Sequence, residues 1–265
     1  MEEKKYELTD ETIDVDGRIL HRIKAIKDFC FITAGDLGGF IEKEYNLSHD
    51  NNAWVSGYAW VYDNAKVSDD ARVFGNARVY GNAKVSSYAQ VFDNAQVSGD
   101  AKVSGYAQVS SYAKVSGNAM VFDDAIVFGN AEVCDYTQIY GNAMVRDNAI
   151  VFDNAQVYGY SSIFDHSIVA GNSMICVDIR GYAKINQNGC IKSPDDYITF
   201  GNVGSRHGTT TMFRCRDDII RVSCGCFSGT LEEFHDRVIK THGDNKYEKE
   251  YETIIKVAKV HFNLI

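Results

Sequence analysis

The feature that most constrains this chain is a column of Val and Ile residues that recurs every six positions. The column begins at Val55, ends at Ile175 and contains 21 positions, all of them Val or Ile. Two residues before each lies a small residue, in a second column that runs from Ala53 to Ser173 and holds 17 Ala, three Ser and one Thr. So strict a period predicts a solenoid, in which each repeat buries its apolar face only by stacking on its neighbours.

Each repeat combines a short extended segment with a tight corner. In an extended segment alternate side chains point to opposite sides, so Ala65 and Val67 are expected to point inward, and Lys66 outward. Between the extended segments lie pairs such as Asp63-Asn64 and Gly141-Asn142. Gly, Asn and Asp tolerate positive φ, which suits a corner that is repeated in every unit.

The repeat of Val, a small or aromatic residue, Gly/Asp, Asn/Tyr, Ala and a variable residue resembles the hexapeptide repeat of left-handed parallel β-helices. The resemblance covers residues 51–178 and implies triangular coils of three units, or 18 residues, and about seven coils in all. The well-known members are trimeric acyltransferases with a histidine between subunits and an inserted loop. Here the repeat has no insertion, and its single histidine is His166, in the corner Asp165-His166.

The regions on either side of the repeat differ from it in pattern. We predict an all-β solenoid with an N-terminal β cap (1–50), a hexapeptide-repeat β-helix (51–192) and a small α+β C-terminal domain (193–265). Asp16-Gly17 predicts a hairpin in the cap. The repeat loses phase beyond Asp178, and Pro194 ends it. Strands are predicted over 197–200, 210–214 and 219–223, and helices from Thr230 to about residue 242 and over about 246–262.

The order of acidic cap, rod and tail carries a second resemblance. The tail sequences over 224–234 and 241–245, with the preceding regions, resemble hexapeptide-repeat proteins of bacteriophages and prophages, which have no assigned activity. The resemblance implies a viral or mobile-element protein that acts on a bacterial host.

Charge and composition exclude several classes of function. The net charge is −9, and the segment 51–192 contributes −3 of it, so the sequence predicts no non-specific binding to duplex nucleic acid. The first residues lack the apolar core of a signal peptide, and no stretch is long and apolar enough for a membrane span. Seven irregularly spaced cysteines predict reduced thiols in the cytoplasm, which is the host cytoplasm for a phage-encoded protein.

One outward column predicts an anion-binding site. If positions 18 apart stack, three lysines lie in one row beside three serines: Lys66, Lys84, Lys102, Ser68, Ser86 and Ser104. Ammonium groups spaced ~5 Å apart repel one another and favour a bound phosphate or an acidic partner. The alternative interpretation is a solvated face that only keeps the rod soluble.

The outward positions become apolar toward the C-terminal half of the repeat. The change affects Met120, Phe122, Ile126, Phe128, Met144, Ile150, Phe152 and Ile168. Exposed together, they would exceed the apolar patch that a soluble monomer usually tolerates. Either the C-terminal helices fold back over them or they form a subunit interface. We predict the interface, in a homo-oligomer (a dimer or a trimer).

Catalytic and metal-binding patterns are not recognisable in the sequence. The spacing of Cys215, Cys224, Cys226, His235 and His242 does not match a zinc site. We therefore predict no catalytic residue, metal or cofactor, and a non-catalytic binding protein that engages or sequesters a host factor. That factor is a host defence protein or a small anionic nucleotide signal. The alternatives are an acyltransferase of the hexapeptide-repeat type using His166 and a purely structural rod.

Overall fold

A computed structural model describes residues 4–265, and its central part is a parallel β-solenoid of about eight turns. Each turn has three two-residue strands, which stack into three flat faces. Face 1 contains the strands Trp54–Val55, Arg72–Val73, Gln90–Val91, Gln108–Val109, Ile126–Val127, Met144–Val145 and Ser162–Ile163. Face 2 contains Trp60–Val61, Arg78–Val79, Gln96–Val97, Lys114–Val115, Glu132–Val133, Ile150–Val151, Ile168–Val169 and Lys184–Ile185. Face 3 contains Lys66–Val67, Lys84–Val85, Lys102–Val103, Met120–Val121, Gln138–Ile139, Gln156–Val157, Met174–Ile175 and Cys190–Ile191.

The register of the strands confirms the 18-residue turn and the inward columns. Val91, for example, pairs with Val73 on one side and with Val109 on the other. All 21 Val and Ile residues and their small companions are at most 1% exposed. Where Ser or Thr replaces Ala, the buried hydroxyl donates to the carbonyl three residues earlier, as Ser173 does to Ala170 at 2.6 Å. The predicted core is therefore confirmed, with its few polar members satisfied internally.

The corners explain why Asp is so frequent in the repeat. The first corner residue has positive φ, for example 72° at Gly75 and 57° at Asp93. A carboxylate there accepts a hydrogen bond from the backbone N–H of the corner in the next turn, as Asp153 does from Gly171 at 2.9 Å. Eight corner carboxylates do this: Asp63, Asp69, Asp93, Asp123, Asp135, Asp147, Asp153 and Asp165. Most of the acidity of the rod thus serves its own backbone.

The rod continues for one turn beyond the seven coils expected from the sequence. Ile179 bridges to Ile163, Ile185 pairs with Val169 and Ile191 pairs with Ile175, each at a spacing of 16 residues. The segment from Ile175 to Ile179 is two residues shorter than a regular unit. The repeat loses its six-residue phase there because one corner is shortened, while the strands go on stacking.

The N-terminal residues form a cap that is continuous with face 2. β1 (Tyr6–Val15) and β2 (Arg18–Ala25) form the predicted hairpin, and β3 (Leu37–Ile41) joins it to the solenoid by parallel pairing with Trp60–Val61. A short 3-10 helix, Glu44–Asn46, follows. The hydroxyl of Tyr6 donates to the carbonyls of Glu44 and Leu47. The cap closes the end of the rod, whose strands would otherwise offer a free edge.

The C-terminal residues close the opposite end of the rod. After the 3-10 helix Pro194–Asp196, the strands Tyr197–Val203, Gly208–Arg214, Ile220–Cys224 and Phe227–Thr230 form an antiparallel sheet, followed by α1 (Leu231–His242) and α2 (Lys246–His261). Both helices pack on this sheet in a separate apolar core. Phe213 and Cys215 instead extend the core of the solenoid. The helices therefore do not fold back over the faces of the rod. The fourth strand was not predicted, because Cys-Gly-Cys-Phe-Ser-Gly resembles a loop in the sequence.

A buried lysine ties the cap to the first turn. Lys5 is 1% exposed, and its Nζ donates to the carbonyls of Asp50 at 3.2 Å and Asn51 at 3.0 Å. The ammonium group also lies 5.1 Å from the centre of the Phe29 ring. Burial lowers the pKa of Lys5 to about 8. Because the neutral amine still donates hydrogen bonds, these contacts do not require the charged form.

Replacing Val109 by Asp is expected to destabilise the rod by several kcal/mol, because the carboxylate would lie without a partner in the core. Urea unfolding monitored by circular dichroism measures the change in the free energy of unfolding. Gln108→Asp, on the adjacent outward-facing position, is the control and should change the free energy of unfolding by less than about 1 kcal/mol. Equal unfolding midpoints for the two variants would contradict the register.

The free energy of unfolding should rise between pH 7 and pH 9 through Lys5. Its folded pKa lies below its unfolded value of 10.5, so in this range the unfolded chain binds more protons and stability increases with pH. The gain is about 1 kcal/mol. Lys5→Met should lack this gain. Subtracting the variant's curve of unfolding free energy against pH from the wild-type curve removes the contribution of cysteines and tyrosines, which titrate in both proteins. Parallel curves for the two proteins would contradict the assignment.

Candidate functional site

The three predicted lysines lie in one row on face 3. Lys84 pairs with Lys66 on one side and with Lys102 on the other, at the ~4.8 Å spacing of neighbouring strands. Their side chains point outward because the adjacent valines point into the core. The companion serines, Ser68, Ser86 and Ser104, are half-buried on the same face.

Lys66 differs from the other two lysines because it contacts the cap. Its Nζ lies 5.4 Å from the centre of the Tyr45 ring, and its side chain is half-buried. Lys66 also lines a hollow at the end of the rod that contains the acidic residues Glu44 and Asp50. Lys66 is therefore in a mixed electrostatic environment, and the anion site predicted from the sequence reduces to Lys84 and Lys102.

Lys84 and Lys102 are both exposed. Within residues 4–265 neither ammonium group has a carboxylate oxygen within 4.0 Å, whereas Lys114 on face 2 pairs with Glu132 at 2.8 Å. The two free ammonium groups line a shallow hollow of about 380 Å³, which is formed by Asn82, Lys84, Asp100, Lys102, Asn118, Met120 and Tyr136. The serines do not line this hollow.

The corner residues beside the lysines were missed by the sequence reasoning. Asn82, Asp100, Asn118 and Tyr136 follow one another at intervals of 18 residues, so they stack in one row at the corner between faces 2 and 3. Asn82 Nδ2 donates to Asp100 Oδ1 at 2.9 Å. Applying the 18-residue spacing to the corners as well as to the lysines would have predicted this row. The hollow thus contains two ammonium groups, the side-chain amides of Asn82 and Asn118, and the phenol of Tyr136. Its one carboxylate, that of Asp100, accepts the hydrogen bond from Asn82.

A second hollow, of about 230 Å³, lies where the cap meets face 1. Phe31, at the tip of a loop in the cap, is 84% exposed, and the Arg72 guanidinium lies 5.4 Å from the centre of its ring. Trp54 and Phe74 form the apolar wall, and Phe74 stacks on Phe92 at 4.9 Å. No pattern in the sequence predicts this hollow, because it depends on how the cap loop folds over the rod.

His166 lies on an exposed corner between faces 1 and 2. Its ring stacks on the ring of Tyr182, with the centres 4.9 Å apart and the planes 9° apart. Its backbone N–H donates to the carbonyl of Gly181, as an asparagine at this corner position does in other turns. The histidine therefore occupies a regular corner of the rod.

The eight apolar residues of the predicted interface lie on three faces and are all half-buried. Met120 and Phe122 lie on or beside face 3. Face 1 carries Ile126, Phe128 and Met144, and face 2 carries Ile150, Phe152 and Ile168. Neighbouring turns cover part of each side chain. A single flat contact can therefore use at most one face. Faces 1 and 2 each offer three of these residues over two consecutive turns, and face 2 places two isoleucines, Ile150 and Ile168, directly beside each other on neighbouring strands.

The cysteine and histidine residues of the tail are distributed over separate environments. Cys215 is buried at the junction with the rod, while His235 Nε2 lies 2.5 Å from Glu252 Oε1. Across residues 4–265 no group of three or more His, Cys, Asp or Glu side chains is arranged to hold a metal ion. All seven cysteines are free thiols. No helix in the same residues is both long enough and apolar enough to cross a membrane.

Comparison with known families supports the repeat. A family model described as the YdcK beta solenoid repeat matches residues 65–81, 71–87, 95–111, 113–129 and 138–151. All five segments lie within the rod, so the chain carries a solenoid repeat similar to that of this family. No curated protein matches the chain.

We expect the protein to sediment as an oligomer, with face 2 in the contact. Ile150→Lys should then weaken assembly and leave the β signal in circular dichroism unchanged, because it places a charge in an apolar contact without changing the core. Gln156→Lys, on face 3, is the matched control and should assemble normally. A clean species of 29.5 kDa at micromolar concentration would contradict this prediction.

Proposed function

We propose that this chain is a non-catalytic binding protein that sequesters a small anionic ligand of the nucleotide-signal class on face 3. The observation that carries the proposal is the adjacent pair Lys84 and Lys102, in register on neighbouring strands and without a carboxylate partner among residues 4–265. In a chain of net charge −9, an unpaired cationic row beside a hollow is a distinctive local feature.

Electrostatics favours an anion at this position. At the ~5 Å spacing of neighbouring strands, two ammonium groups raise each other's free energy by about 1 kcal/mol in water, and a bound phosphate relieves this repulsion. The phosphate would also accept charge-assisted hydrogen bonds from both groups. Asn82 and Asn118 add amide groups, and the 63% exposed ring of Tyr136 offers a surface for stacking a base.

Asp100 gives the hollow its selectivity. Its carboxylate repels a ligand that carries negative charge on every side, and it accepts hydrogen bonds from amino or hydroxyl groups. A nucleotide has both parts, an anionic phosphate and a base with donors. An inorganic anion has only the first. The hollow therefore suits a nucleotide better than a simple anion.

The biological setting of the proposal is a phage-encoded protein in the cytoplasm of a bacterial host. Its support is the likeness of most of the chain to hexapeptide-repeat proteins of phages and prophages, together with seven free thiols, two of them exposed. A rod that removes a nucleotide signal would counter a host response without needing catalytic groups. A direct contact with a host defence protein is the other form of the same proposal.

Calorimetric titration with mono-, di- and cyclic nucleotides tests the ligand. Lys84→Glu should weaken binding by at least about fivefold at low ionic strength, because it replaces an attraction by a repulsion. Asp100→Asn removes the repulsive charge and keeps one acceptor oxygen, so it should strengthen binding of inorganic phosphate more than binding of the nucleotide. Both effects should decrease as salt is added, since the groups are exposed.

Lys114→Glu is the matched control for the titration. It makes the same change of charge at an exposed position on face 2, and it should leave the affinity within about twofold of the wild-type value. If Lys84→Glu and Lys114→Glu behaved alike, net charge rather than the hollow would govern binding. If no nucleotide bound the wild-type protein, the proposed ligand class would be wrong.

A further inference from the structure

The tail contains a cavity that is separate from the rod and from the face 3 hollow. It has a volume of about 260 Å³ and lies between the turn at residues 203–208, the turn at residues 224–227, the second half of α1 and Tyr251 of α2. Its walls thus come from four segments, which fall in three separate stretches of the sequence. No repeat pattern predicts such a cavity, because it depends entirely on tertiary packing.

The polar rim of the cavity is cationic. Arg206 and Arg237 both line it, together with His242, and no Asp or Glu is among its lining residues. Within the described chain, 4–265, neither guanidinium has a carboxylate oxygen within 4.0 Å. Ser205 and Thr241 place hydroxyl groups on the same rim. In an acidic protein this concentration of unpaired donors favours an anionic group, and the planar guanidinium groups match a phosphate in geometry.

The floor of the cavity is aromatic. Phe234 lies 5.3 Å from Phe227 and 5.5 Å from Tyr251, measured between ring centres, and the His242 ring stacks on Tyr251 at 5.5 Å. The Tyr251 hydroxyl lies 3.8 Å from Cys224 Sγ, and burial raises the pKa of Tyr251 to about 12. The hydroxyl therefore stays protonated at neutral pH and remains a donor. Aromatic walls of this kind bind flat rings.

We propose that this cavity binds a nucleoside monophosphate, with the phosphate held by Arg206 and Arg237 and the base on the aromatic floor. The volume of about 260 Å³ lies just below the range of about 300–1,000 Å³ that small-molecule sites span, so the cavity suits no more than one nucleotide and excludes a dinucleotide. The site is independent of the face 3 hollow, since it shares no residue with it.

Two exposed thiols allow binding to be localised directly. Cys226 lines the cavity, whereas Cys30 lies at the other end of the molecule beside the cap. We expect AMP at about 5 mM to slow alkylation of Cys226 at least about threefold and to leave the rate at Cys30 unchanged. Peptide mass spectrometry measures both rates. Adenosine and inorganic phosphate, tested separately, should each protect Cys226 less than AMP, because each fills only half of the site.

Substitutions on α1 provide the matched pair of variants. Arg237→Gln should raise the AMP concentration required for protection at least about tenfold, because it removes a charge-assisted contact. Lys240→Gln, an exposed residue of the same helix outside the cavity, makes the same change of charge and should leave protection unchanged. Lys84→Glu should also leave it unchanged, so a failure of this site is distinguishable from a failure of the face 3 hollow.

The proposal is overturned if none of AMP, GMP, CMP and UMP slows alkylation of Cys226 in the wild-type protein. That measurement needs no variant, so it decides the matter even if Arg237→Gln does not fold. Equal protection in Arg237→Gln and Lys240→Gln would also overturn it, because binding would then not depend on the cavity arginines.

Discussion

Each turn of this rod buries its valines only because the turns on both sides do the same. A two-residue strand such as Gln90–Val91 has no stability of its own, and its partners are Arg72–Val73 and Gln108–Val109, 18 residues away on either side. The hydrogen bonds that run from turn to turn and the inward Val and Ala columns are therefore a single cooperative interaction. The Val and Ile column must therefore be uninterrupted, since one charged inward residue would disturb the contacts of its turn with both neighbouring turns.

Stacking of the turns restricts which residues can occupy the inward and corner positions of each repeat, and it leaves the outward strand positions free to vary. The corner carboxylates and amides are committed to the neighbouring turn, as in the bond from Gly171 N–H to Asp153. The outward strand positions have no such commitment, so Lys84, Gln90 and Ile150 occupy equivalent places in different turns and faces. A likeness in the repeat therefore predicts the fold strongly, whereas ligand recognition depends on outward residues that the repeat does not specify.

The sequence predicted what is local and periodic, and it failed where structure depends on distant segments. The columns, the hairpin at Asp16-Gly17 and both helices follow from short-range patterns, and all are present. The eighth turn was missed because a corner two residues shorter shifts the phase without stopping the stacking. The lysine row was predicted from the 18-residue turn. The contact between Lys66 and the Tyr45 ring was not predicted, because it depends on the position of the cap. For the same reason neither the hollow beside Phe31, where the cap meets face 1, nor the cavity in the tail was predicted.

The two ends of the rod are where irregular structure can form, and with it cavities whose walls come from non-repeating segments. A regular face is flat because every turn repeats the same backbone, so the hollow beside Lys84 is shaped by side chains alone. At the ends, loops approach the rod from outside the repeat: the loop carrying Phe31 covers part of face 1, and Phe213 anchors the tail to the last turns. The tail then builds its own cavity around Tyr251, away from the rod. Closing a solenoid against edge pairing thus also supplies the non-repeating walls that a small ligand requires.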